Sequence, residues 1–198
     1  MAVQQVRLGK TEIIVSKNGF GALPIQRISK KEAVYLLQKA FYNGINYFDT
    51  AWGYHNGNSE RAAGKHLSNY PRESFYLATK FPGYDPANMD KVEAIFEEQL
   101  KKCGVSYFDF YLFHNVCEMN VDAYLDERHG IFDYLMKQKE KGRIHHLGFS
   151  AHGSYDVMKR FLEAYGEQME FCQMGGVTGR DWSDVAALVP LTAIGIFV

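Results

Sequence analysis

The stretch NYFDTAWGY, residues 46–54, places Asp49 and Tyr54 just past a strand-like run that ends at Phe48. Two further runs end the same way. FYLATK, residues 75–80, closes on Lys80, and FDFYLFH, residues 108–114, closes on His114. Polar side chains at strand ends read as an active-site rim, because a parallel α/β barrel puts its chemistry at the carboxyl ends of its strands. The four residue types also suit one reaction. A tyrosine gives a proton to a carbonyl oxygen, a lysine lowers its pKa, an aspartate holds the lysine, and a histidine aims the carbonyl.

Working outward, the chain alternates strand and helix signals. VRLGKTEIIVSKNGFG, residues 6–21, reads as a hairpin around Gly9-Lys10-Thr11, within an N-terminal segment 1–18. GFGALPI, residues 19–25, reads as a buried strand. Ser29 with Glu32 three residues later is a capping box. It opens a helix with Ala33, Leu36, Leu37, Ala40 and Phe41 at helical spacing, closed near Gly44. Asn88 or Asp90 is expected to start a second helix, with Val92, Ile95, Phe96 and Leu100 on one face. Its charges, Lys101 and Lys102 among them, read as a solvated face. A further helix carries Ile131, Leu135 and Met136, and Ser154 is expected to cap another. Core strands are expected near Phe20, Phe48, Leu77, Tyr111, Leu147 and Cys172. This grammar predicts a parallel sheet. No GxGxxG opens a helix, which excludes a dinucleotide-binding doubly wound sheet.

Bulk properties narrow the function. The 198 residues are 46% hydrophobic, enough for one core and one domain. A net charge of −1 gives no reason to expect nucleic acid or an anionic membrane as partner. The longest apolar run, residues 191–198, is too short to span a bilayer, and the N-terminus carries no apolar signal core. Cys103, Cys117 and Cys172 are scattered and form no disulfide framework, so a cytoplasmic location is expected. The sequence leaves the oligomeric state open.

The hairpin, GFG, NYFDTAWGYHNGNSE, LATK, LFH and LGFSAH together resemble the aldo-keto reductases, from about Val6 to Gln173. The resemblance implies a (β/α)8 TIM barrel using NADPH or NADH on a small-molecule carbonyl substrate. Tyr54 would be the proton donor, Lys80 its neighbour and Asp49 the partner of Lys80. His114 would bond the carbonyl oxygen. Asp49, Ser150 and Gln173 would bind cofactor, with Ala151 standing where the family often has asparagine. HNVCE and GFSAH look most like members with a C-terminal iron–sulfur extension, but no cysteine-rich extension is present and no cluster is implied. After residue 173 the likeness stops. The expectation is an incomplete barrel of six to seven strands, with family-like units over 19–173 and an aberrant tail over 174–198, as in a truncated or frame-shifted product. Residues 185–198 would supply at most one more strand, and the uncharged run 188–198 would pair with an edge or drive association. Pro24, Ile25, Gln26, Trp52 and Tyr84 would line the pocket.

Two other classes of function fit parts of this pattern. A non-catalytic remnant or interaction protein of the same fold would keep the four residues without holding cofactor. A metal-dependent hydrolase barrel also gathers histidine and aspartate at strand ends, but it opens with paired histidines on its first strand, and GFGALPI has none. No metal ligands are assigned.

Overall fold

Alternation of side chains along each strand is what turns this sequence into a layered molecule. The computed structural model describes residues 2–8, 11–22, 28–174 and 193–194. The chain begins with an antiparallel hairpin, β1 (Gln5–Arg7) and β2 (Ile14–Ser16), with Val6 opposite Val15. Its expected tip at Gly9-Lys10 lies outside the described residues. A curled parallel sheet follows, in the order β3 (Phe20–Gly21), β4 (Tyr47–Asp49), β5 (Tyr76–Phe81), β6 (Phe108–Val116), β7 (Ile144–Ala151), β8 (Phe171–Met174) and β9 (Ala193–Ile194). Strand order equals chain order, as consecutive right-handed crossovers require in a barrel. Seven strands of an incomplete (β/α) barrel are thus described, in line with the six to seven expected. Met174 belongs to β8 rather than to an aberrant tail, and 193–194 pair with it through Phe171↔Ala193 and Cys172↔Ile194. The rest of the run 188–198, and the pocket-lining expectation for Pro24, Ile25 and Gln26, lie outside the described residues.

The connecting helices are α1 (Lys30–Tyr42), α2 (Ser59–Leu67), α3 (Val92–Cys103), α4 (Val121–Leu125), α5 (Ile131–Glu140) and α6 (Tyr155–Tyr165). The capping box of α1 is present: Glu32 N donates to Ser29 Oγ at 3.3 Å, and Ser29 N to Glu32 Oε2 at 2.9 Å. Two expected starts differ. Asn88 and Asp90 lie in a tighter turn, Pro86–Lys91, capped by the Asp85 side chain, and α3 begins only at Val92. Proline at the first position suits such a turn, since its missing N–H needs no acceptor there. Ser154 does sit at the N-terminal cap of α6, but its hydroxyl makes no capping bond. Its N–H instead donates to Glu118 Oε1 at 2.8 Å.

The two faces of the sheet hold separate cores. Outward residues Phe48, Leu77, Tyr111, Phe113, Leu147 and Phe149 pack against the helices through Leu37, Leu67, Phe96, Leu135 and Phe161. Inward residues Tyr47, Ala78, Phe110, Leu112 and Phe171 form a second cluster, capped by Leu8 and Val15 of the hairpin. Asn46 ties the hairpin down, accepting from Ser16 N at 2.7 Å and donating to Ile14 O at 3.1 Å. The hairpin therefore closes one end of the curled sheet and leaves the carboxyl ends of the strands for chemistry.

Candidate functional site

Residues two apart on a strand share a face. Asp49 follows Tyr47, Lys80 follows Ala78, His114 follows Leu112, Ser150 follows Gly148, and Gln173 follows Phe171. All five polar side chains thus share the inward face with the apolar cluster and form the layer above it, toward the carboxyl ends. Asp49, Lys80 and His114 lie within their strands rather than beyond them, because β5 runs to Phe81 and β6 to Val116. Gly148 keeps this layer level: a side chain there would run into the backbone and ring of Phe171 on β8. Ser150 pairs in register with Gln173.

Lys80 and Asp49 are the centre of the site. Lys80 Nζ donates to Asp49 Oδ1 at 2.6 Å, to Oδ2 at 2.7 Å and to Thr50 O at 2.9 Å. Three acceptors satisfy all three ammonium hydrogens, which is what an ammonium only 1% exposed requires. Burial pushes the Asp49 carboxyl up, and the Lys80 ammonium opposes that rise. Tyr54 stands over this pair, with Nζ 5.1 Å from its ring centroid. Burial also raises the Tyr54 phenol, with Lys80 pulling it down and Asp49 pushing it up. The expected lowering by lysine is therefore present but outweighed by desolvation. The turn after Tyr54 is unusual: His55, Asn56 and Gly57 all have positive φ, of 54°, 50° and 81°. Glycine enters that region freely, and asparagine and histidine are, with aspartate, the side-chain-bearing residues found there most often. The turn lets α2 start at Ser59, pinning Tyr54 between β4 and a helix.

His114 completes the rim. Its ring meets those of Tyr54 and Tyr84 nearly edge-on, with centroids 5.8 and 5.3 Å apart. It is 9% exposed, and its Nδ1 is buried without a partner. Burial and the nearby Lys80 charge hold it well below the usual imidazole value, so it is neutral at pH 7. Ser150 makes a structural bond that the sequence did not reveal: its Oγ accepts from Asn115 N at 2.7 Å. Asn115 lies at φ 59°, where the β6–β7 register shifts. Gln173 Oε1 is buried with no partner.

The sequence reading also passed over the polar group behind Lys80. Helix α2 carries Glu60, which is fully buried and accepts from Thr79 Oγ1 and from Gln99 Nε2, each at 2.7 Å. Lys102, expected on a solvated face, instead turns inward. Its Nζ lies 3.4 Å from Glu60 Oε2 and 3.4 Å from the centroid of Trp52. The adjacent pair Ser59-Glu60 was the available signal, because an acidic residue in the first turn of a helix favours the dipole wherever it points. Only packing shows that Glu60 points inward.

Among the described residues, no three of histidine, cysteine, aspartate and glutamate gather as metal ligands, and no helix is long and apolar enough to cross a membrane. The sequence profile of the aldo/keto reductase family matches residues 17–173. An L-galactose dehydrogenase of Arabidopsis thaliana is 30% identical over 152 residues, covering 72% of this chain and 47% of that protein. An NADH-specific methylglyoxal reductase of Escherichia coli is 28% identical over 189 residues, covering 83% and 56%. The chain thus spans about half the length of these relatives. The crystal structure of an aldo-keto reductase from Klebsiella pneumoniae in complex with NADPH superimposes with a TM-score of 0.66 at 22% identity, over 87% of this chain and 58% of that one, and so shares the fold. With the profile spanning the strands that carry Asp49, Lys80, His114, Ser150 and Gln173, this chain belongs to the aldo/keto reductase family.

Proposed function

We propose that this chain carries the reaction centre of an NAD(P)H-dependent oxidoreductase that reduces a small aldehyde or ketone, with Tyr54 as proton donor. The observation that carries this reading is the placing of one buried ammonium, Lys80, between the Asp49 carboxylate and the Tyr54 ring. A structural lysine needs only solvent or a carboxylate. This one also faces a phenol at the open end of the sheet, beside a neutral imidazole.

The residues present fit a nicotinamide. Gln173 Oε1 lacks a donor, and a carboxamide N–H2 is such a donor. Ser150 uses its oxygen to accept from Asn115, which leaves its hydroxyl hydrogen for a carboxamide oxygen. Asp49 gives both oxygens to Lys80 and keeps second lone pairs for a sugar hydroxyl. When bound, NAD(P)H supplies the hydride. The relatives use either form, one named NADH-specific and one structure holding NADPH.

The protein's own part is protonic and electrostatic. Because burial outweighs the pull of Lys80, Tyr54 stays protonated across the neutral range, the state a donor needs. As its proton leaves, the phenolate forms against the Lys80 ammonium, whose charge is worth more in this water-poor layer than in bulk. His114, neutral, can donate one hydrogen bond to the carbonyl oxygen without competing for the proton. Tyr84, whose ring meets that of His114, bounds the substrate, whereas Trp52, expected to line the pocket, packs against Lys102 on the helix side.

The test is a fluorescence titration with NADPH and with NADH, followed by loss of nicotinamide absorbance on adding small aldehydes. Binding of either nucleotide with turnover of a carbonyl is expected. No binding up to about 1 mM, roughly −4 kcal/mol, would favour a non-catalytic member of the fold.

A further inference from the structure

Lys80 is held at both ends by the first two residues of α2. Its ammonium donates to Thr50 O at 2.9 Å, and Thr50 Oγ1 lies 3.1 Å from Ser59 Oγ. Its carbonyl oxygen accepts from Gln99 Nε2 at 3.0 Å, and the same amide donates to Glu60 Oε1 at 2.7 Å. Tyr111 donates to Gln99 Oε1 at 2.6 Å, which fixes the amide's orientation. Ser59, Glu60, Thr79, Gln99 and Tyr111 are all fully buried between the sheet and α2 and α3.

Apolar side chains would hold helix to sheet at lower risk, since buried polar groups are costly unless every partner is in place. Hydrogen bonds do what apolar packing does not: they fix direction and distance. We propose that Ser59 and Glu60, acting through Thr50 and Gln99, are positioning residues that set the reach of Lys80 toward Tyr54. The proposal rests on the reading of Tyr54 and Lys80 as the proton-donating pair. The leverage comes from Coulomb's law. At about 5 Å, a retreat of about 1 Å by the ammonium raises the phenol's pKa by roughly half a unit. Tyr54 also faces Asp49 from β4, His114 from β6 and Tyr84 from the loop after β5. Ser59 and the Glu60–Gln99 bond are therefore probed first with neutral-for-neutral substitutions, and among these variants only the reference changes a charge.

The experiment labels tyrosine at Cζ with carbon-13 and identifies the Tyr54 signal by its loss in Tyr54→Phe. The ionised fraction is then followed at alkaline pH, with thermal unfolding recorded beside it. Lys80→Met sets the full scale by removing the charge. Gln99→Met and Ser59→Ala should each lower the ionised fraction of Tyr54 roughly threefold at a given pH, and together by more. If Lys80→Met shifts the phenol while both neutral variants fold and titrate like the unsubstituted protein, Ser59 and Glu60 merely pack and the proposal is wrong. If Lys80→Met itself leaves the phenol unmoved, the lysine–tyrosine pairing fails and the proposed function fails with it. Should Gln99→Met not fold, Ser59→Ala removes a single hydroxyl and decides the Ser59 route, and Gln99→Glu, which keeps the side chain's size and shape, is titrated against Lys80→Met for the Glu60 route.

Discussion

The Lys80 ammonium lies 2.6 and 2.7 Å from the two carboxylate oxygens of Asp49, with both side chains sealed from solvent. Opposite charges that close together in the interior cost much to desolvate, and the cost is recovered only while both partners and the Thr50 carbonyl remain in place. The pair is therefore weak evidence for stability and stronger evidence for a site that needs a fixed charge.

Removing one partner exposes that cost. Lys80→Met leaves the Asp49 carboxylate buried without its cation and should destabilise the fold by about 3–5 kcal/mol. Asp49→Asn combined with Lys80→Met removes both charges and should cost less than the two single changes added. Urea unfolding of the three variants checks this, and strict additivity would contradict a coupled pair.

Tyr54→Phe deletes one hydroxyl from a half-buried ring and keeps the ring contact to His114. Carbonyl reduction should fall by about 10²–10⁴, with nucleotide binding retained and stability changed by less than about 1 kcal/mol. Steady-state kinetics with a small aldehyde, beside a nucleotide titration, separates the two effects. Near-unchanged turnover would remove Tyr54 from the reaction.

Gly148→Ala should damage the site through the sheet. The added methyl meets the backbone oxygen and ring of Phe171, so β7 and β8 must separate. A loss of about 1–3 kcal/mol is expected, together with weaker nucleotide binding, because Ser150 and Gln173 stand level only through this pairing. Thermal unfolding and the same titration check both parts. Wild-type stability would mean the strands shift without cost.

Acid should unfold the protein earlier than its carboxylates alone would require. His114 has a folded-state pKa well below the ordinary 6.5, and buried His66 is lowered as well. The unfolded chain then binds more protons below about pH 6.5, so the stability these groups contribute is complete above that pH and is lost as pH falls below it. The slope from His114 is at most about 1.4 kcal/mol per pH unit. Denaturant midpoints at pH 7.5 and 5.5 should differ, and His114→Gln should narrow the gap. An unchanged gap in that variant would place the sensitivity elsewhere.

The strand and helix periods, the hairpin and the alternating order were written in the sequence, because burial on a curled parallel sheet imposes local patterns that survive in one dimension. The residues proposed to react were legible for the same reason: Asp49, Lys80 and His114 end apolar runs where a charge or imidazole has no packing role. Tertiary structure alone decided the rest. Helix α2 buries Ser59, Glu60 and His66 beside a short apolar pair, Ala63 and Leu67, so its inward face mixes polar and apolar residues and is hard to read. Lys102 reads as a solvated charge and Glu60 draws no notice in the sequence, and only the packing of α2 on α3 shows both turned inward. The expectation that Lys80 would lower the Tyr54 phenol gave way to desolvation, a property of the folded surroundings. The bond from Asn115 to Ser150 joins residues 35 positions apart. Hydrogen-bond partners and burial depend on which segments meet, and the sequence records each segment without that distance.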